Sequence, residues 1–117
     1  MGVTMTFRLT AFLLGIAAAV IILPARSTMA QEASYSLTIH DDRFEPSTLN
    51  VKAGIKFKLN VKNARKVPAE FESAELNREK VVPPGQTALI YIGPLAPSTY
   101  QVFDDFHQST RGRIVAK

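Results

Sequence analysis

Three short stretches gather groups able to hold a metal ion or pass a proton. The first is Ala69-Glu70-Phe71-Glu72-Ser73-Ala74-Glu75. In an extended chain Glu70 and Glu72 project to one side, and Phe71 projects to the other, toward a core. Two carboxylates on one side repel unless a cation or a proton sits between them. The second is Asp104-Asp105-Phe106-His107, where two acids and an imidazole meet as a strand-like run becomes a loop. Ligands often come from such places. The third is His40-Asp41-Asp42, whose histidine falls on the outward side with Ser36 and Thr38 and reads as solvated. Each of the first two has a plainer reading. One is a solvated acidic face balanced by Arg65, Lys66, Arg78 and Lys80; the other is a polar loop with a hydrogen-bonded histidine. Glu75 and Glu79 extend the first cluster. Helical spacing would put them on one face, and Glu79 beside Lys80 also reads as an ion pair.

The donor inventory narrows the chemistry. There is no cysteine, and Met1, Met5 and Met29 all precede residue 31. The remainder of the chain therefore has no thiolate, no thioether and no disulfide. Carboxylates with one imidazole form a hard donor set, suited to Fe²⁺/Fe³⁺, Mn²⁺ or Cu²⁺ and unsuited to Cu⁺. A type 1 copper centre needs a thiolate and is excluded. Electrostatic nucleic-acid binding is disfavoured: all ten acids lie beyond residue 30, interleaved with twelve of the fourteen basic residues. That mixture makes no basic footprint.

The elements that must position these groups are strands. Ile55, Phe57, Leu59 and Val61 alternate with Lys56, Lys58, Asn60 and Lys62, and Leu37 and Ile39 alternate with Ser36, Thr38 and His40. This is the period-two signature of a half-buried strand. Leu49 and Val51, the run Gln86 to Ile92, Tyr100 to Asp104 and Gly112 to Ala116 add further strands. Turn chemistry separates them at Lys52-Ala53-Gly54, Pro83-Pro84-Gly85 and Gly93-Pro94. The pattern predicts an all-β Greek-key β-sandwich of about seven strands. Only Ser73 to Glu79 reads as helical, a turn or two within a connection.

The first thirty residues are of a different kind. They carry Arg8, Arg26 and no acid, and Leu9 to Leu23 is uncharged and almost wholly apolar. As a helix that run would be about 22 Å long, short of the ~30 Å hydrocarbon core. Thr28-Met29-Ala30 places small residues where a secretory cleavage site needs them. Residues 1–30 are expected to be a signal peptide cleaved near Ala30, and residues 31–117 a single exported domain in a bacterial periplasm.

One ordered set of blocks has a family likeness. Phe44-Glu45-Pro46, Val51-Lys52-Ala53-Gly54, Asn63, Glu70-Phe71-Glu72-Ser73, Glu79-Lys80-Val81-Val82 and Gly93-Pro94-Leu95 come first. Tyr100, Phe106-His107 and Gly112-Arg113-Ile114-Val115 complete it. The set resembles the cupredoxin-like domain family of bacterial iron uptake over about residues 35–117. It looks nearest to the small periplasmic cupredoxin-like component of the four-part ferrous iron transporter, and is similar to the N-terminal domain of EfeO-type proteins. Blue-copper cupredoxins take a His after a strand ending in Asn, then a Cys, a His and usually a Met before the last strand. Laid on this chain, the resemblance puts Asp104 in place of the Cys and His107 in place of the second His. Ala69 and Glu70 stand near the first His, and no Met lies between His107 and Gly112.

The resemblance implies a metal site drawn from Glu70, Glu72, Asp104, Asp105 and His107, with Glu75 and Glu79 as further candidates. Its metals would be iron (Fe²⁺/Fe³⁺), copper (Cu²⁺) or both. It implies ferrous iron acquisition, with Fe²⁺ bound and oxidised before delivery. The implied partners are a periplasmic iron-binding protein, an inner-membrane iron permease and a membrane ferredoxin-like protein. Two other readings use the same residues: a copper or iron carrier without turnover, and a metal-free adaptor sandwich.

Overall fold

The computed structural model describes residues 2–6, 10–25 and 32–117. Residues 2–6 and 10–25 carry no regular secondary structure and are exposed. The expected cleavage site at residues 28–30 lies outside the described residues. No helix among the described residues is long and apolar enough to cross a membrane.

Nine strands follow: β1 (Ala33–Ile39), β2 (Phe44–Glu45), β3 (Thr48–Val51), β4 (Phe57–Asn63), β5 (Ala69–Ser73), β6 (Arg78–Val82), β7 (Thr87–Ile92), β8 (Ser98–Asp104) and β9 (His107–Ala116). They form two sheets, one ordered β2-β1-β4-β7 and the other β3-β9-β8-β5-β6. The β1–β4 and β3–β9 pairs are parallel and the rest antiparallel. The all-β Greek-key sandwich expected from the sequence is present.

Alternation builds the core. On β4, Phe57, Leu59, Val61 and Asn63 are buried, and Lys58, Asn60 and Lys62 face outward. Leu37, Ile39, Ile90 and Ile92 join them from the same sheet; Phe71, Val82, Val102 and Ile114 meet them from the other. Each such side chain contributes about 1.5–3 kcal/mol when fully buried. Tyr35 packs edge-on against Phe57, with centroids 5.3 Å apart. Among the described residues every buried core residue lies between Leu37 and Ala116, so this stretch carries its own core.

Three expectations change. The described residues form nine strands where the sequence predicts about seven, because β2 has only two residues and β6 begins inside the segment Ser73 to Glu79. Ile55 is 40 % exposed, since β4 begins only at Phe57. Ser73 to Glu79 is not a helix: Ala74–Asn77 is a tight turn joining β5 to β6. Leu76 N–H donates to Ser73 Oγ (3.3 Å) and Asn77 N–H to the Ala74 carbonyl (3.1 Å). Asn77 then adopts φ of 50°, a left-handed conformation that asparagine tolerates and that ends a helix. Leu76 is buried, so the turn is also anchored by its side chain.

Candidate metal centre

The β5–β6 hairpin places the acids. Its register sets Glu70 opposite Val81 and Glu72 opposite Glu79. Directly opposed residues share a face and lie close together. Phe71 fills the core behind them and is fully buried. The result is a trio, Glu70, Glu72 and Glu79, in which one carboxylate oxygen from each lies within 4.8 Å of the others. Glu70 is buried, Glu72 half-buried and Glu79 exposed. Glu72 and Glu79 also line an open cleft of about 390 Å³ beside the turn.

The electrostatics show what this proximity costs. Glu70 is pushed from an ordinary 4.5 up to about 7. The first cause is a hydrogen bond shared with the Glu79 carboxyl, then burial, then the charges of Glu79, Asp105 and Glu72. Glu72 is also raised, first by burial, then by the charges of Asp105 and Glu79, and by a hydrogen bond with Asp105. Asp105 is therefore the fourth acid of this surface. Its backbone N–H donates to the Glu70 carbonyl (2.9 Å), which ties the β8–β9 turn to β5. Crowding of this kind favours a protonated Glu70, and a divalent ion held between the three carboxylates would relieve the same repulsion. Such an ion takes oxygen donors at about 2.0–2.6 Å, a reach compatible with three oxygens this close.

The other expected ligands stand elsewhere. Asp104 is fully buried and faces inward, opposite Phe71. Its Oδ1 accepts from the N–H of Glu70 (2.9 Å) and of Phe106 (3.1 Å), and its Oδ2 from Arg65 Nη1 (3.0 Å). These bonds occupy the carboxylate and make Asp104 the anchor that holds Glu70 in place. His107 opens β9 opposite Asp104, is exposed, and does not join the trio. Glu75 sits in the turn, where its Oε1 accepts from Gln101 N–H (3.2 Å). His40 is not merely solvated: its Nε2 lies 2.7 Å from Glu45 Oε2.

In the sequence Arg65 reads only as a counter-charge to the acidic face, and Glu79 only as a further candidate. Arg65 is almost buried, with its Nε 3.6 Å from Asp41 and without a hydrogen bond. Next to it Asn63 Nδ2 donates to the carbonyls of Val67 (2.8 Å) and Val82 (3.0 Å), and its Oδ1 accepts from Arg65 N–H (2.9 Å). A lone arginine after an Asn carries no signal of such a role in the sequence. Glu79, a further candidate in the sequence, comes opposite Glu72 only because β6 pairs with β5. A type 1 copper does not fit these residues: there is no thiolate, and Asp104, which the resemblance puts in place of the cysteine, is bound to a guanidinium.

The fold and residues have relatives. RP394 of Rickettsia prowazekii (strain Madrid E) is 42 % identical over 74 residues, 63 % of this chain and 59 % of that protein. Auracyanin A, a "blue" copper protein from Chloroflexus aurantiacus, superposes with a TM-score of 0.62 at 13 % identity, covering 74 % of this chain and 99 % of that one. The metal-binding domain of the Streptococcus pneumoniae D39 Cu(I)-exporting P-type ATPase CopA gives 0.62 at 11 % identity, over 72 % and 84 %. Amicyanin from Paracoccus versutus gives 0.57 at 15 % identity, over 78 % and 86 %. At these identities the solved structures share the fold with this chain. Residues 11–116 match the Cupredoxin-like domain family, and the chain belongs to it.

Proposed function

We propose that this chain is a periplasmic metal-binding protein of ferrous iron acquisition, which takes Fe²⁺ as cargo on Glu70, Glu72 and Glu79. The observation that carries the reading is the convergence of those three carboxylates within 4.8 Å. Three hard anionic oxygens suit iron and disfavour Cu⁺. They would stabilise Fe³⁺ over Fe²⁺, because the higher charge gains more from anionic donors, so Fe²⁺ held there would give up an electron to dissolved oxygen more readily than free Fe²⁺. Cu²⁺ would bind the same oxygens more tightly than Fe²⁺ by the divalent series, as cofactor or competitor. The copper-binding relatives support a metal-binding use of the fold. The apolar run before residue 24 supports export. The partners remain those the resemblance implies: a periplasmic iron-binding protein, an inner-membrane iron permease and a membrane ferredoxin-like protein.

A second reading, a carrier without turnover, has its own support. The trio holds no imidazole or sulfur, and its side chains are not themselves redox-active. The test is titration of residues 31–117 with Fe²⁺ in air, with oxygen uptake recorded with and without one equivalent of Cu²⁺. Uptake beyond one turnover, lost in Glu72→Gln, supports iron oxidation. Saturable binding without excess uptake supports the carrier. Absence of saturable binding overturns both.

A further inference from the structure

The outer face of the five-stranded sheet is divided by charge. One cross-strand row runs Glu79, Glu72, Phe103 and Arg111 over β6, β5, β8 and β9. The neighbouring row holds Gln101, Arg113 and Thr48 over β8, β9 and β3. Acids occupy one side of this face and guanidiniums the other, with the Phe103 ring between them.

Arg111 and Arg113 are two apart on β9 and so project to the same side. Among the described residues neither forms an ion pair with an acid. Each is held by another contact. The Arg111 guanidinium lies 5.0 Å from the centroid of Phe103, and Arg113 Nε donates to Thr48 Oγ1 (2.9 Å). Gly112 between them has no room for a side chain: a Cβ there would stand 2.8 Å from Phe44 Cδ2 and 3.1 Å from the Ser47 carbonyl. The strand therefore presses close to Phe44. The two arginines, with Ser47, Thr48, Gln101 and Gly112, border a concavity of about 210 Å³.

We infer that this concavity is an oxyanion-binding site for a small ligand bearing carboxylate or phosphate groups. The chemistry is that of its lining. Two guanidinium forks offer paired N–H donors that match such oxygens, and their mutual repulsion is relieved by an anion between them. Ser47, Thr48 and Gln101 add neutral donors. No carboxylate lines the concavity to compete. Both arginines are already oriented by Phe103 and Thr48, which lowers the ordering cost of binding. This inference does not depend on metal binding at Glu70, Glu72 and Glu79.

The test is an amide NMR titration of metal-free residues 31–117 with potassium phosphate and, separately, sodium citrate, with sodium chloride at matched ionic strength as control. Saturable shifts centred on Thr48, Gln101 and Arg111 to Arg113, absent with chloride, are expected for at least one probe. The tighter probe identifies the ligand class. In Arg111→Gln/Arg113→Gln the affinity should fall at least about tenfold, a factor that corresponds to about 1.4 kcal/mol. The amide dispersion of that variant reports whether it is folded, and Arg113→Gln alone provides a milder check. Non-saturating shifts, shifts spread over the lysines, or saturable shifts that survive in the folded double variant would overturn the inference.

Discussion

Glu72 and Glu79 face each other directly across the β5–β6 hairpin, seven residues apart in sequence. Like charges directly opposed on a sheet destabilise it. Here the opposition is compounded by Glu70 on the diagonal and Asp105 on the adjoining turn. A stable domain that gathers four acids on one face has its destabilisation concentrated there, and a bound cation is the direct means of relief.

The pH dependence of the metal-free domain follows from that crowding. Glu70 is raised from 4.5 to about 7 in the folded chain. Between those values the folded state keeps a proton that the unfolded chain has lost. This contribution to stability is fully present below pH 4.5 and is lost as pH rises through about 7. Urea unfolding should therefore give a lower midpoint at pH 8 than at pH 5, with a smaller difference in Glu70→Gln. An equal difference in the variant would remove Glu70 as the source. Metal affinity should run the opposite way and rise through the same window, because ligation requires the deprotonated form.

Neutralising one acid of the trio separates metal binding from stability. Glu72→Gln and Glu79→Gln should each stabilise the metal-free domain slightly, by relieving repulsion. Each should also weaken Fe²⁺ or Mn²⁺ binding about tenfold or more, equivalent to about 1.4 kcal/mol. His107→Ala, outside the trio, should change affinity less. Calorimetric titration of the three variants decides this, and a dominant loss in His107→Ala would move the centre to the β8–β9 turn.

Asp104 and Arg65 should behave as a buried pair. Asp104→Ala leaves the Arg65 guanidinium with only the exposed Asp41 beside it and strands two amide donors, and loss of one member of a buried pair costs about 3–5 kcal/mol. Replacing both, as Arg65→Met/Asp104→Leu, should cost less than the sum of the single changes. Urea unfolding of the set completes a double-mutant cycle, and additive costs would show that the 3.0 Å contact carries no coupling.

Phe57 tests the facing of β4. It is 1 % exposed and touches Tyr35 edge-on. Phe57→Ala should cost about 3–5 kcal/mol by opening a core cavity. Lys58→Ala, on the outward side of the same strand, should stay within about 0.5 kcal/mol of the wild type. Comparable losses at the two positions in thermal or urea unfolding would contradict the observed alternation.

Much of the architecture was legible because strand burial repeats every second residue. The run from Phe57 to Val61 and the pair Leu37 and Ile39 declare their inward faces without any knowledge of their neighbours. The same logic put Glu70 and Glu72 on one side of Phe71. The hairpin that completes the trio was not legible. Ser73 to Glu79 has helix-compatible residues, and only the left-handed Asn77 with the buried Leu76 turns it into a tight reversal. Once β6 pairs with β5, Glu79 moves from a helical neighbour of Glu75 to the cross-strand partner of Glu72.

By itself the sequence determined the class of fold, the absence of cysteine and the predominance of carboxylates among the groups able to hold a metal. Those depend on residue type and local periodicity, which a chain carries without folding. Only the tertiary structure decided which acids meet. Asp104 and Asp105 are adjacent, yet one turns inward to Arg65 and two backbone amides and the other stands beside Glu72. That division arises from register and burial between distant strands: a carboxylate placed inside must find donors, and one placed at the rim is free to share a cation.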